Sequence, residues 1–354
     1  MRLRRSNGGR AGDRLKRSML VSMAMLLPLG VSVAGPVGTA SAAFNASGED
    51  FWVDSAMGPI KSRIFRAVDG NTHRVVYALD GMRAQDDLNG WEIETEVARS
   101  LTRANINVVM PVGGQSSFYA DWNAPSTFGP DTGSGEGSVG SVGSSEVGSA
   151  AADTTVAGKR DTYKWETFLT SQLPQALKDR KGFSRHDNGV FGLSMGGSAA
   201  LTMAAYYPDQ FSFAGSFSGF LNNSAPGMRE ALRVAMISAG GFNIDAMAAP
   251  WDPKWLRMDP FVFAPRLRDN NTRLWISSGS AVPGNGDVTS AIGVVQAVPL
   301  EALALANTRA FEVRMATVGA RNAHYDYPAT GVHNWKNWED QVNRMIPDLS
   351  ANIG

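Results

Sequence analysis

The stretch Gly189–Leu201 reads GVFGLSMGGSAAL and places one serine between an apolar run and a series of small residues. Within it, residues 192–196 fit the pattern Gly-x-Ser-x-Gly. On a sharp turn from a strand into a helix, flanking glycines relieve crowding and let the serine hydroxyl project. The N-terminus of the following helix also favours developing negative charge. Ser194 is therefore predicted to be a nucleophile, with a purely structural turn as the alternative.

A serine hydroxyl needs a general base, and the chain has 4 histidines. His73 precedes a candidate strand and His186 precedes the strand that leads to Ser194, so both are predicted to lie on the surface. His324 and His333 follow the last candidate strand, where an α/β-hydrolase places its base. His333 is favoured because its loop, GVHNW, leads into a helix, and His324 remains the alternative.

A carboxylate should follow the penultimate candidate strand, where it would hold the base in the correct tautomer. Asp287 lies there in a Gly-rich loop, and Glu301 opens a helical segment. The residues alone do not decide between them. An oxyanion hole needs two backbone N–H groups, one predicted at Met195 and the other in the loop near Met82.

The loop near Met82 reads ALDGMRAQDDLNGW and is dense in polar groups. Asp80, Arg83 and Gln85 are predicted to bind a substrate rich in hydroxyl groups. The alternative is a solvated loop with internal salt bridges.

Apolar, β-rich runs alternate with segments of helical periodicity along the chain. The candidate strands are Arg74–Gly81, Ile106–Gly114, Asn188–Ser194, Phe211–Gly219, Thr272–Ser280 and Phe311–Gly319. Near-continuous apolar strands joined by helices are typical of a mostly parallel sheet covered on both faces. The predicted fold class is α/β, with the chain order Ser, acid, His of an α/β-hydrolase.

The N-terminus has the pattern of a secretory signal. Residues 1–17 hold seven of the 33 basic residues and one of the 33 acidic ones. The apolar run Met19–Val33 and the small residues Ala40–Ala42 follow, as in a cleaved signal peptide. Residues 1–43 are therefore predicted to be removed, leaving residues 44–354 as one domain of a secreted, cell-envelope protein. A retained membrane anchor is the alternative.

Composition narrows the function classes further. Without residues 1–17 the chain has a net charge of about −6, which argues against nucleic acid as a partner. There are no cysteines, so thiolate metal sites and disulfides are excluded, and no cofactor or metal is expected. The Gly/Ser-rich segment at 129–158 cannot bury enough apolar area to offset its ordering entropy. It is predicted to be a flexible surface loop within the domain, and a functional lid is the alternative.

Several segments together resemble the mycolyltransferases of the antigen 85 type, which are exported enzymes of the α/β-hydrolase fold. The resemblance runs from about Phe51 to Ile346, apart from the Gly/Ser-rich insertion. The segments are LDGMRAQDDLNGW, YKWETFLTSQLP, GLSMGGSAAL, AAYYPDQFSFAGSFSGFLN, NNTRLW and GVHNW. In combination they are far more specific than Gly-x-Ser-x-Gly alone.

The resemblance implies Ser194 as nucleophile, His333 as base and Glu301 as acid. The family acid lies in an equivalent Leu-Glu pair 32 residues before its histidine, and Glu301 has the same separation from His333. The resemblance also implies Met82 and Met195 as the sources of the oxyanion amides.

The resemblance implies sugar contacts as well, from Asp80, Arg83, Asn222 and Trp335. The expected donor is an acyl-trehalose, trehalose monomycolate. The expected acceptor is a second trehalose monomycolate or a hydroxyl of arabinogalactan, and a protein serine is a further alternative. Peripheral contact with the mycolate-containing envelope is also expected.

Two residues depart from the family pattern. Glu94 stands where members often have asparagine, a position near the sugar that bears on acceptor preference, and Ser278 replaces a common cysteine. A secreted carboxylesterase, with water as acceptor, is the first alternative function. A non-catalytic surface-binding protein on the same fold is the second.

Overall fold

Eight strands form one sheet in the computed structural model, which describes residues 45, 47–128, 158–284 and 291–354. The strands are β1 (Glu49–Val53), β2 (Ile60–Phe65), β3 (Val75–Leu79), β4 (Asn107–Pro111), β5 (Asn188–Leu193), β6 (Phe211–Phe217), β7 (Arg273–Ser277) and β8 (Ala323–Asp326). Their order is β1-β2-β4-β3-β5-β6-β7-β8. The β1–β2 and β2–β4 pairs are antiparallel and the other five pairs are parallel. The predicted α/β class is confirmed.

Helices cover both faces of this sheet. They are α1 (Gly90–Glu94), α2 (Val97–Arg103), α3 (Trp165–Thr167), α4 (Leu173–Lys181), α5 (Met195–Tyr206), α6 (Met228–Ser238), α7 (Ile244–Met247), α8 (Lys254–Arg257), α9 (Pro260–Asp269), α10 (Ala291–Thr317) and α11 (Trp335–Asn352), with a π-helical turn at Phe168–Gln172 between α3 and α4. No helix in the described ranges is both long and apolar enough to cross a bilayer.

Successive residues of β3 show how the two faces are buried. Val75, Tyr77 and Leu79 belong to the core that includes side chains of α4, α5 and α9. Val76 and Ala78 belong to the opposite core, with side chains of α2 and α11. Since alternate side chains of a strand point to opposite faces, a strand buried on both faces is apolar at every position. This is why the central strands were predictable.

Five of the six candidate strands are confirmed, with ends shifted by a few residues, but the prediction of a strand at residues 311–319 is wrong. Most of that segment is the C-terminal end of α10. Phe311 and Met315 are buried while Val313 between them is 66% exposed. The two buried residues are four apart and share one helix face, so the apolar alternation imitated a strand. The last strand is β8, whose four residues are all half-buried and form no apolar run.

The predicted signal segment, residues 1–43, and residues 129–157 of the Gly/Ser-rich segment lie outside the described residues. Strands β1 to β4 precede the Gly/Ser-rich segment and β5 to β8 follow it, and all eight belong to the same sheet. The β1 and β2 strands were not predicted.

Candidate active site

Ser194 forms the turn between β5 and α5, with φ 51° and ψ −119°. A residue with a Cβ adopts such a backbone only where its surroundings impose it. The Ser194 N–H donates to the carbonyl of Phe217 at 2.8 Å, which ties the turn to β6. A Cβ on Gly192 would lie 2.5 Å from the carbonyl of Gly196, and a Cβ on Gly196 would overlap the carbonyl oxygen of Asp80. Both glycines of the motif are therefore required by close backbone contacts.

The loop that follows β3 lies directly against this turn. A Cβ built on Gly81 would lie 4.0 Å from the Cβ of Ser194. Met82 follows Gly81, Met195 begins α5, and both are buried. Neither the Met82 nor the Met195 N–H has a hydrogen-bond acceptor among the described residues. Two N–H groups with no acceptor beside the Ser194 turn have the arrangement that an oxyanion hole requires.

His333 and Glu301 form the acid–histidine pair. His333 lies between β8 and α11, and its Nδ1 is 2.9 Å from Oε2 of Glu301, which is fully buried in α10. The other carboxylate oxygen, Oε1, accepts hydrogen bonds from the hydroxyls of Ser218 at 2.8 Å and Ser278 at 2.9 Å. It also accepts from the N–H of Gly279 at 2.5 Å. A buried carboxylate with this many donors is stabilised in its charged form.

The hydrogen bonds of Glu301 lower its pKa. Burial alone would raise the pKa of this carboxyl, but the hydrogen bond and charge of His333 and the hydroxyls of Ser218 and Ser278 outweigh the effect of burial. The pKa in the folded protein therefore lies below its ordinary value. The ionised carboxylate contributes to stability above the unfolded-state pKa of about 4.3, and this contribution is lost as the pH falls through the folded-state pKa.

A pH-dependent stability difference follows. We expect the melting temperature of the wild type to fall more steeply than that of Glu301→Gln as the pH is lowered from about 5 to about 3, because the glutamine has no charge to lose. Calorimetry at half-unit pH steps measures both slopes. Parallel curves would show that Glu301 is not stabilised as a carboxylate.

Three tryptophan rings support His333. The Trp338 ring meets the imidazole edge to face, with centroids 4.9 Å apart, and its indole N–H donates to the Ser218 hydroxyl at 3.0 Å. Trp335 packs against Trp338 at 5.3 Å and against Trp91 at 5.4 Å. The hydroxyl of Ser218 thus accepts from Trp338 and donates to the acid, which orients both.

The predicted sugar-binding residues lie in different surroundings. Asp80 is buried, and each of its carboxylate oxygens accepts a backbone N–H. Arg83 is exposed and forms no ion pair with a described residue. Asn222 is half-buried, and its N–H donates to Oδ1 of Asn307 at 3.0 Å. Trp335 is also half-buried, and its ring packs against Trp338, which contacts His333.

The other histidines do not join this arrangement. His324 lies within β8 rather than after the last strand, and its ring stacks on Trp275 with centroids 4.0 Å apart. Within the described ranges it has no carboxylate partner, so the alternative base is not supported by the geometry. His73 and His186 are exposed, as predicted. The alternative acid, Asp287, lies outside the described residues.

Sequence patterns did not point to Ser218 or Trp338, and they marked Ser278 only as a departure from a family pattern. Ser218 lies 83 residues before Glu301, and nothing in its local sequence indicates that contact. Its φ of 50° at the end of β6 becomes visible only in the structure. The contacts and backbone conformation of Ser218 depend on how the strands are connected in the fold, and no sequence motif marks them.

The sheet order, the strained turn and the acid–histidine pair define a serine enzyme of the α/β-hydrolase fold. The family model Esterase matches residues 60–139 and 130–349. The chain is 37% identical over 345 residues to the diacylglycerol acyltransferase/mycolyltransferase Ag85C of Mycobacterium avium, covering 96% of this chain and 88% of that one. It is 39% identical over 341 residues to Ag85B of Mycolicibacterium smegmatis, covering 94% of each. The chain belongs to this family of acyltransferases, which confirms the resemblance to the antigen 85 type.

Solved structures agree with this placement. MPT51 (FbpC1) of Mycobacterium tuberculosis superposes with a TM-score of 0.68 at 29% identity, covering 88% of this chain and 100% of that one. An S-formylglutathione hydrolase from Agrobacterium tumefaciens superposes with a TM-score of 0.58 at 15% identity, covering 88% of this chain and 98% of that one. The second likeness supports the fold alone.

Proposed function

We propose that this chain transfers a mycolyl group from trehalose monomycolate to a second hydroxyl group through an acyl–Ser194 intermediate. The observation that supports the proposal most is the strained Ser194 turn packed against Gly81, whose neighbouring Met82 N–H has no acceptor among the described residues. The relatives that cover 94% and 96% of the chain are named mycolyltransferases. The acceptor is a second trehalose monomycolate or an arabinogalactan hydroxyl.

The first half of the reaction forms the acyl-enzyme. His333 takes the proton of the Ser194 hydroxyl as its oxygen attacks the ester carbonyl of the donor. The N–H groups of Met82 and Met195 bind the oxyanion that develops, an interaction worth about 10²–10³ in rate for each donor. Glu301 stabilises the imidazolium and keeps Nδ1 protonated. The imidazolium then protonates the trehalose oxygen as the ester bond breaks.

The second half regenerates the enzyme. The acceptor hydroxyl enters the position that trehalose has left, and His333 takes its proton as the oxygen attacks the acyl–Ser194 ester. A second tetrahedral intermediate collapses, and the proton returns to the oxygen of Ser194. Transfer rather than hydrolysis requires that a sugar hydroxyl compete with water at this step. We propose that Asp80, Arg83, Asn222 and Trp335 supply the sugar contacts.

Arg83 offers a test of these sugar contacts. We expect Arg83→Ala to raise the KM for trehalose monomycolate about tenfold, because a charged hydrogen bond to a hydroxyl is lost, with kcat little changed. Arg99→Ala removes the same charge from another exposed position, on α2, and serves as the matched control. An unchanged KM in Arg83→Ala would remove Arg83 from the sugar site.

The reaction class is tested by following the acyl group. Wild type is incubated with trehalose monomycolate, and the peptide that contains Ser194 is examined by mass spectrometry for the mycolyl adduct. Trehalose dimycolate, acylated arabinan and free acid are then quantified with each acceptor present. Free acid as the sole product would favour the carboxylesterase alternative. Failure of Ser194 to react with an organophosphonate would favour a non-catalytic binding protein.

We also propose that residues 1–43 direct export and are removed, which places the mature enzyme at the envelope that holds its substrates. N-terminal sequencing of the protein from culture fluid and from the envelope fraction tests this. Cleavage after residue 43 gives Phe44 as the first residue, and cleavage one residue earlier gives Ala43. An intact Met1 in both fractions would contradict cleavage.

A further inference from the structure

The carboxylate of Asp80 closes the loop that supplies Met82. Its Oδ1 accepts the N–H of Gly81 at 2.7 Å, and its Oδ2 accepts the N–H of Gly90 at 2.7 Å. One side chain therefore joins the first and last residues of a ten-residue loop. Met82 lies inside the closed segment, one residue after the first attachment.

The backbone of Asp80 is itself held from a second loop. Its N–H donates to the hydroxyl of Tyr119 at 2.9 Å, and Tyr119 is fully buried. Tyr119 follows β4 in a segment where Ser116, Phe118 and Tyr119 all have positive φ. Three such residues within four positions indicate a backbone whose conformation is imposed by its contacts.

This second loop contacts both candidate oxyanion residues. The Ser116 N–H donates to the carbonyl of Met82 at 3.0 Å, and the Phe118 N–H donates to Sδ of Met195 at 3.0 Å. The two loops and the start of α5 therefore form one hydrogen-bonded unit. Asp80 belongs to this unit, because its N–H donates to Tyr119 and its carbonyl packs against Gly196 in the first turn of α5.

Ionisation of the Asp80 carboxyl is unfavourable in free energy at its buried position. Burial raises the pKa of this carboxyl to about 6, the two backbone N–H groups only partly offset the increase, and the nearby charge of Glu94 adds to it. No Lys or Arg in the described part of the chain forms an ion pair with Asp80. A buried carboxylate without a cation costs stability, and two backbone hydrogen bonds offset that cost only in part.

We propose that Asp80 is a positioning residue of the oxyanion hole, acting through Gly81 and Gly90 to hold the Met82 N–H against Ser194. The proposal rests on the function proposed above and adds to the sugar contact suggested for Asp80. Each carboxylate oxygen has a second lone pair, so one carboxylate can serve both purposes. An asparagine cannot, because its amide group has a single acceptor oxygen and its NH₂ would face one of the two N–H donors.

The test separates positioning from sugar binding by using an ester without sugar. Hydrolysis of p-nitrophenyl butyrate is measured for the full chain as wild type, Asp80→Asn, Asp86→Asn and Ser194→Ala. We expect Asp80→Asn to lower kcat by about 10- to 100-fold with KM nearly unchanged, since a displaced donor costs less than the 10²–10³ of a deleted one. Asp86→Asn removes the same charge from an exposed side chain of the same loop and should match wild type.

Each outcome has one meaning. A wild-type kcat for Asp80→Asn, with losses confined to trehalose monomycolate, would overturn the proposal and leave a sugar contact only. Full hydrolysis by Ser194→Ala would instead contradict the proposed function. If Asp80→Asn lacks near-UV circular dichroism, Tyr119→Phe decides, because it removes the acceptor of the Asp80 N–H. A lower kcat at unchanged KM in Tyr119→Phe supports positioning, and a wild-type kcat overturns it.

Discussion

Replacing Ser194 with alanine is expected to lower the rate of mycolyl transfer by about four to six orders of magnitude, as with other serine triads. No other described hydroxyl stands on the strained turn beside Met82 and Met195, so no substitute nucleophile is available within that part of the chain. The fold should survive, because alanine and serine have the same Cβ. The Ser194 hydroxyl also makes no hydrogen bond to a described residue.

The rate of transfer from trehalose monomycolate measures the loss of activity in Ser194→Ala, and thermal unfolding measures whether its fold survives. Ser198→Ala is the matched control four residues further along α5. Its hydroxyl donates to the carbonyl of Phe220 at 2.7 Å, so its loss should reduce stability by about 1 kcal/mol and leave chemistry in place. Near-normal transfer by Ser194→Ala would exclude Ser194 as the nucleophile.

Glu301→Gln is expected to lower kcat by about 10³–10⁴, the scale seen when a triad acid is replaced by its amide. The Gly279 N–H points at Oε1 and cannot rotate away, so the glutamine must place its only acceptor oxygen there. Its NH₂ then faces Nδ1 of His333. The imidazole must accept at Nδ1 and hold its proton on Nε2, which is the wrong tautomer for a base.

Steady-state kinetics with trehalose monomycolate tests this expectation. Glu312→Gln makes the same change on the same helix, where Glu312 pairs with Arg309 and Tyr327 away from the site, and it should keep wild-type kcat. A kcat for Glu301→Gln within about tenfold of wild type would mean that the acid does not control the tautomer.

Much of the fold could be predicted because burial on both faces leaves a signal in every strand residue. The strands β3 to β7 each read as an apolar run for this reason. The two exceptions, β8 and the end of α10, are not buried on both faces. The strand β8 is half-buried and polar, and the end of α10 has an apolar alternation whose middle member, Val313, faces solvent. In both cases the exposure of side chains in the tertiary structure accounts for the type of element, which residue type alone did not reveal.

The site was predictable where its parts are local. The Gly-x-Ser-x-Gly pattern predicted the turn at Ser194, because only glycine fits where the backbones at positions 192 and 196 meet. The residues themselves left Asp287 and Glu301 undecided, and the preference for Glu301 came from resemblance. The structure places Oε2 of Glu301 2.9 Å from Nδ1 of His333.

The sequence by itself determined the strand-to-helix turn at Ser194, the parallel sheet, and the chain order of candidate serine, candidate acids and candidate histidines. These features depend on residue size, polarity and periodicity within short segments, which a sequence displays directly. Only the tertiary structure decided that Ser218 bridges Trp338 and Glu301, and that Asp80 joins the two ends of its loop under Tyr119. Such hydrogen bonds join segments that are distant along the chain, and their geometry exists only once the strands have taken their order in the sheet.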